Sequence, residues 1–133
     1  MKILIGYDGS EADYKVLQLG LKQAKANNAS VEILHVADLQ PKNQAELAKR
    51  EKIDKDLEKA AAMFENEGIG CTTTLKSGLT PGEFIVEMAA DSGADMIVIG
   101  AHKKSRLGKF LFGSTLQLVI LEAPCPVLIW KDK

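Results

Sequence analysis

The chain has 133 residues, of which 46% are hydrophobic, so it can form one domain with a substantial core. Its 17 lysine and arginine residues nearly balance 18 aspartate and glutamate residues, and the net charge is −1. This balance argues against wrapping by nucleic acid, and the apolar runs are too short to span a membrane. Cys71 and Cys125 form no CxxC pair, so we expect reduced, buried thiols in a cytoplasmic protein with a single domain, residues 1–133.

Short apolar runs alternate with longer amphipathic stretches along the chain. Continuous apolar runs are typical of strands that are buried on both faces of a parallel sheet. The predicted strands are, in chain order, Ile3–Ile5, Val31–Val36, Cys71–Leu75, Met96–Ile99 and Val127–Trp130. Stripes of apolar residues with helical spacing fall between them: Val16, Leu17, Gly20, Leu21 and Ala24, then Ile53, Leu57, Ala61 and Phe64, then Ile85, Met88 and Ala89.

Short motifs predict where the helices begin and end. Ser10–Asp13 and Ser114–Gln117 have the form of capping boxes, and Thr80–Glu83 adds a proline at the first helical position. Gly68 and Gly93 fall where helices should stop. The resulting order, β-α-β-α-β-α-β-α-β, predicts a doubly wound, Rossmann-like α/β fold: a five-stranded parallel sheet with helices on both faces.

In such a sheet, ligands bind beyond the carboxyl ends of the strands where the strand order reverses, here between the first and fourth strands. The loop after the fourth strand has the parts of an anion cradle. Gly100 would let backbone approach a ligand, and free N–H groups at Gly113 and Ser114 would lie at a helix start. Four basic residues would add a positive field: Lys103, Lys104, Arg106 and Lys109. The alternative is a basic surface loop with an ordinary N-cap.

Asp8 follows the first strand and would face this cradle. A carboxylate there would repel a phosphate unless a cation lay between them. Mg²⁺ is the expected cation, because it is commonly held by a carboxylate together with phosphate oxygens and waters. The alternative is that Asp8 only hydrogen-bonds the turn before the first helix.

At these residues the chain resembles the universal stress protein family, and the similarity runs nearly end to end. It is carried by residues 3–10, 34–36, 78 with 81, 94–100, 113–115 and 125–129. The resemblance implies the sheet order 3-2-1-4-5 and a homodimer formed through the last strand, at Val127, Leu128 and Ile129. Pro126 at the start of this apolar edge strand also fits pairing with a second chain.

Many members of that family bind ATP through a motif of Gly, two residues, Gly, nine residues, Gly and then Ser or Thr. Gly100, Gly113 and Ser114 match the motif at the correct spacing, but Lys103 replaces the second glycine. If that position needs a positive φ, a lysine there costs about 1 kcal/mol or more. The alternative is that the lysine charge compensates by reaching a phosphate.

The resemblance also implies roles for other residues. Asp8 would face the ribose, the phosphates or the metal, and Tyr7 and Ile99 would line the base pocket. Val36 would read the adenine through its backbone, and Thr115 would add a donor at the phosphate end.

The sequence contains no apparent pair of nucleophile and base. We expect His102 to be a solvent-facing loop residue, although the family often has histidine there, and His35 to be a satisfied histidine of the core. These expectations favour an ATP- or AMP-responsive stress protein over an enzyme, with at most a slow, incidental ATPase activity. The alternatives are a nucleotide-free dimeric interaction module and a weak phosphotransferase.

Overall fold

The structure is a computed structural model that describes residues 1–40, 42–102 and 113–132. Its strands are β1 (Lys2–Gly6), β2 (Ser30–Ala37), β3 (Cys71–Ser77), β4 (Met96–Ala101) and β5 (Val127–Lys131). Its helices are α1 (Tyr14–Asn27), α2 (Gln44–Glu65), α3 (Pro81–Ser92) and α4 (Ser114–Glu122). The strands pair in parallel in the order β3-β2-β1-β4-β5, which confirms the predicted fold class and sheet order.

Helices cover both faces of the sheet. Side chains alternate along a strand, so Ile3 and Ile5 of β1 pack into the core cluster under α1 and α2, which we term the first face. Leu4 packs into the cluster under α3 and α4, the second face. The predicted helical stripes are buried in these clusters with one shift of register, since Ala60 rather than Ala61 is the fully buried alanine of α2.

Two of the three predicted helix starts are displaced by the local hydrogen bonds. Helix α3 begins at Pro81 as predicted. Helix α1 begins only at Tyr14, because residues 10–13 form a turn in which the Asp13 N–H donates to Ser10 Oγ at 3.2 Å. Gly113, not Ser114, is the N-cap of α4. Gly68 and Gly93 both follow helices with positive φ, at 76° and 68°, as their freedom from a Cβ allows.

Two further features bear on the sequence predictions. Cys71 and Cys125 are free and partly buried, and burial raises the pKa of Cys71 to about 11, so this thiol stays protonated. Among the described helices, none has the length and apolarity that crossing a bilayer requires. Strand β5, which carries Val127, Leu128 and Ile129, lies at one edge of the sheet.

Candidate functional site

A cavity of about 360 Å³ opens at the carboxyl ends of β1 and β4, where the strand order reverses. Its volume is within the range of small-molecule sites. One part of its wall is apolar: Leu34, Val36, Pro81, Ile85, Ile99 and Leu116. Polar side chains border the rest: Asp8, Asp13, His102, Ser114 and Thr115. The cavity therefore combines an apolar lining, which we term the apolar slot, with polar groups suited to a charged ligand.

The structure brings most of the sequence-predicted site residues to this cavity. They are Tyr7, Asp8, Val36, Ile99, Gly100, Gly113, Ser114 and Thr115. Lys103, together with Lys104, Arg106 and Lys109, lies outside the described residues. That these residues contact a ligand stays a prediction.

A glycine at the end of β1 keeps the apolar slot open. A Cβ on Gly6 would come within 3.0 Å of Ile99 Cγ2 and 3.2 Å of Ile85 Cδ1, so a side chain there would occupy the slot. Tyr7 borders the cavity, but its ring packs with the first-face cluster and meets the His35 ring edge to face, with centroids 6.2 Å apart. The strand alternation thus favours a backbone contribution of Tyr7 to the site.

The polar end of the cavity includes the start of α4. Gly113 is exposed and extended, with φ −70° and ψ 171°, and a Cβ there would meet no described atom within 4 Å. The first intrahelical bond runs from the Gln117 N–H to the Gly113 carbonyl at 3.2 Å. The N–H groups of the preceding residues belong to the first turn, where they and the helix dipole favour a negative charge.

Asp8 is held in place by its own turn. Its Oδ1 accepts a hydrogen bond from the Ser10 N–H at 2.8 Å, and its N–H donates to Asp13 Oδ2 at 2.8 Å. Burial by itself raises the pKa of Asp8, but the bonds from Ser10 and the charge of His102 outweigh it and hold the pKa below 3.8. The turn bond that was the alternative to a metal role is therefore present, and it leaves an ionised carboxylate at the cavity.

These residues fit Mg²⁺ only in company with a phosphate ligand. Within residues 1–40, 42–102 and 113–132, no three His, Cys, Asp or Glu side chains are grouped so as to hold a metal ion. A single ionised carboxylate such as Asp8 is enough for Mg²⁺ when phosphate oxygens and waters complete the octahedron.

His102 is not the solvent-facing residue that the sequence suggested. Its side chain is only 15% exposed, with Nε2 2.5 Å from Asp13 Oδ1 and Nδ1 3.3 Å from Asp132 Oδ1. Burial lowers the pKa of His102, but the bonds to the two aspartates and their charges outweigh this and raise it. The imidazole thus lies between two carboxylates that favour its protonated form.

Asp13 is the residue that sequence reasoning missed. It is 5% exposed, and burial raises its pKa to about 6 despite the bond from His102. In the amino-acid sequence, Asp13 stands out only as the last member of a capping box. Its partner His102 is 89 positions away in the chain, so no local pattern joins the two.

Gly100 is explained by this pair. A Cβ on Gly100 would lie 2.5 Å from His102 Nε2, 2.8 Å from Val16 Cγ2 and 2.9 Å from Asp13 Oδ1. The glycine therefore makes room for protein atoms, whereas the sequence interpretation had it making room for a ligand.

His35 is buried, as expected, but it is not satisfied. It is 6% exposed on the first face, and its Nδ1 has no hydrogen-bond partner among the described residues. Burial lowers the pKa of His35, so the ring is held neutral.

Comparisons with known proteins agree with the fold. The sequence profile of the universal stress protein family matches residues 1–131. Universal stress protein MJ0531 of Methanocaldococcus jannaschii is 34% identical, over 98% of this chain and 81% of that protein. The solved structure of protein MJ0577 from the same organism superposes with a TM-score of 0.85 at 30% identity, covering 99% of this chain and 96% of that one. A universal stress protein from Archaeoglobus fulgidus, solved in complex with dAMP, gives a TM-score of 0.73 at 25% identity, covering 97% and 96%. This chain belongs to the universal stress protein family.

Proposed function

We propose that the protein binds an adenine nucleotide, ATP or AMP, in the cavity between β1 and β4 and acts as a regulator in the stress response. The observation that carries the proposal is one cavity with an apolar slot, a helix N-terminus and an ionised carboxylate. The complex of the Archaeoglobus fulgidus relative with dAMP supports the choice of ligand.

The wall chemistry suggests how the nucleotide would lie. The adenine would occupy the apolar slot beside Val36 and Ile99, and its edge would bond the backbone of Val36. The phosphates would reach the N–H groups and hydroxyls from Gly113 to Thr115, where the helix dipole favours them. Asp8 would then hold Mg²⁺ against the phosphate oxygens, which supplies charge neutralisation between two negative groups.

The titratable groups at the cavity support binding more than catalysis. A general base must be free to accept a proton from the attacking water. His102 uses both ring nitrogens on aspartates, and the pKa of Asp8 is lowered. We therefore propose that any ATPase activity is slow and incidental.

Calorimetric titration of the purified protein tests this function. We expect saturable binding of ATP with Mg²⁺, weaker binding without it, and binding of AMP that depends less on Mg²⁺. Asp8→Asn should weaken Mg·ATP binding by about 10- to 150-fold, since one charge-assisted contact is worth on the order of 1.5–3 kcal/mol, whereas Asp54→Asn on the exposed side of α2 should leave it unchanged. Heats of dilution alone with millimolar ATP and AMP would refute the proposal.

Lys103 calls for a separate titration because it interrupts the ATP motif. If this position of the motif requires a positive φ, Lys103→Gly should tighten Mg·ATP binding. Weaker binding would instead identify the lysine as a phosphate ligand.

We also propose a homodimer formed through the edge strand β5, at Val127, Leu128 and Ile129. Leu121 and Ile120 of α4, the helix that precedes β5 in the chain, support it, because they are 80% and 52% exposed and leave apolar surface available to a second chain. Light scattering at micromolar concentration should give the mass of two chains. The mass of one chain would contradict this assembly.

A further inference from the structure

We propose that His102 is a positioning residue for the nucleotide cavity, acting through Asp13 on the backbone of Asp8. The inference rests on the proposed function for its effect on affinity. Its structural half, the fixing of Asp8, is independent of any ligand.

The Asp13 carboxylate joins two parts of the cavity wall. Asp13 Oδ2 accepts the N–H of Asp8 at 2.8 Å, and Asp13 Oδ1 lies 2.5 Å from His102 Nε2. Both oxygens of the carboxylate are thus used by residues that border the cavity. If the bond to His102 is lost, the carboxylate that anchors the Asp8 N–H is free to rotate.

His102 is itself fixed by a second contact. Its Nδ1 lies 3.3 Å from Asp132 Oδ1, just beyond β5, and the Asp132 N–H donates to the Ala101 carbonyl at 3.4 Å. The ring is therefore held at one nitrogen by the start of α1 and at the other by the residue after β5. Such a ring can orient Asp13 with little loss of conformational entropy on binding.

The cavity wall carries two carboxylates, Asp8 and Asp13, and Asp13 is 5% exposed. Two uncompensated carboxylates would oppose a polyphosphate, and one Mg²⁺ at Asp8 would neutralise only the first. Asp13 already has a partner at each oxygen, the Asp8 N–H at Oδ2 and His102 Nε2 at Oδ1, so His102 helps to hold this carboxylate within the protein.

Gly100 leaves the space that the contact between His102 and Asp13 occupies. Gly100 and His102 are two residues apart and project to the same side of the chain as β4 ends. A Cβ on Gly100 would lie 2.5 Å from the ring nitrogen that bonds Asp13. The glycine and the histidine thus act as one unit with Asp13.

The test uses the full chain with two substitutions of graded effect. His102→Ala removes both bonds, whereas His102→Gln keeps one donor for Asp13. Glu67→Gln, which breaks the exposed ion pair with Lys25 at 3.4 Å, is the control. All measurements are made at temperatures at which circular dichroism shows each variant fully folded; should His102→Ala fail to fold, His102→Gln carries the test.

The first readout is hydrogen exchange of the Asp8 amide, which needs no nucleotide. We expect it to be about tenfold faster in His102→Ala than in the parent, with a smaller change in His102→Gln and none in the control. The second is calorimetric affinity for Mg·ATP, expected to weaken by about tenfold in His102→Ala. In an Asp13→Asn background, His102→Ala should weaken it no further, because residues that act through one another are not additive.

Three outcomes decide the matter. Faster exchange at Asp8 together with the non-additive loss of affinity establishes the positioning role. A lower melting temperature with unchanged Asp8 exchange and unchanged affinity shows a purely structural histidine and overturns it. If the parent protein binds no nucleotide, the proposed function fails, and the exchange of the Asp8 amide alone then decides whether His102 fixes that residue.

Discussion

The two histidines of the chain occupy similar places and opposite environments. His35 lies near the end of β2 beneath α2, and His102 lies just after β4 beside the start of α1. His102 lies between two carboxylates and its pKa is raised, whereas His35 Nδ1 has no hydrogen-bond partner within the described part of the chain and the pKa of this ring is lowered. Burial alone therefore does not decide the pKa of a histidine. The partners that other strands and helices place beside the ring decide it as well.

Filling the space beside His102 should have the largest effect on stability. In Gly100→Ala the new Cβ meets the imidazole, Val16 and Asp13 at 2.9 Å or less, so we expect the free energy of unfolding to fall by about 2–3 kcal/mol. Gly113→Ala is the matched control, since a Cβ there meets no described atom within 4 Å and should cost under about 1 kcal/mol. Urea denaturation measures both. Equal small losses would mean that the wall around Gly100 yields easily.

Removing the imidazole of His102 should have the next largest effect. His102→Leu leaves Asp13, which is 5% exposed, without its partner at Oδ1, so we expect the free energy of unfolding to fall by about 2 kcal/mol at neutral pH. The same urea titrations measure it. An unchanged midpoint would show that Asp13 finds another partner or simply takes up a proton.

The identical change at the other histidine should do little or help. In His35→Leu an apolar side chain takes the place of a buried ring whose Nδ1 has no partner among the described residues. We therefore expect the free energy of unfolding to stay the same or to rise by up to about 1 kcal/mol. A clear loss of stability in denaturation would mean that the His35 ring makes a polar contact of value, or that the edge-to-face contact with Tyr7 matters more than the unpaired nitrogen.

The smallest of the expected effects is a difference between the pKa values of the two histidines. The pKa of His102 is raised, so its contribution to stability is complete below 6.5 and is lost as the pH rises through the folded value. The pKa of His35 is lowered, so its contribution is complete above 6.5 and is lost as the pH falls through the folded value. NMR titration of the two imidazole signals should place His102 above 6.5 and His35 below it, with His35→Leu assigning the peaks. Both signals titrating on one side of 6.5 would contradict the contrast.

The sequence predicted the fold well because the signals that determine it are local. Apolar runs located every strand, and Thr80 with Pro81 located the start of α3. The start of α1 was misplaced because the Asp13 side chain serves Asp8 and His102 instead of capping the helix.

The site was predictable only where the motif names residues. Gly113 and Ser114 lie at the cavity as the spacing implies, and Val36 and Ile99 form part of its apolar wall. The role of Asp13 was not predictable, because its contact with His102 depends on the packing of α1 against β4 and has no signature in either segment.

The most direct test of nucleotide binding at this cavity is the map of amide chemical shifts on adding Mg·ATP. We predict shifts at Asp8, Val36 and residues 113–115, and none around the second hollow, which Lys76 and Met88 border on the side of α3. Shifts confined to that hollow, or no shifts with millimolar nucleotide, would contradict nucleotide binding at the cavity between β1 and β4.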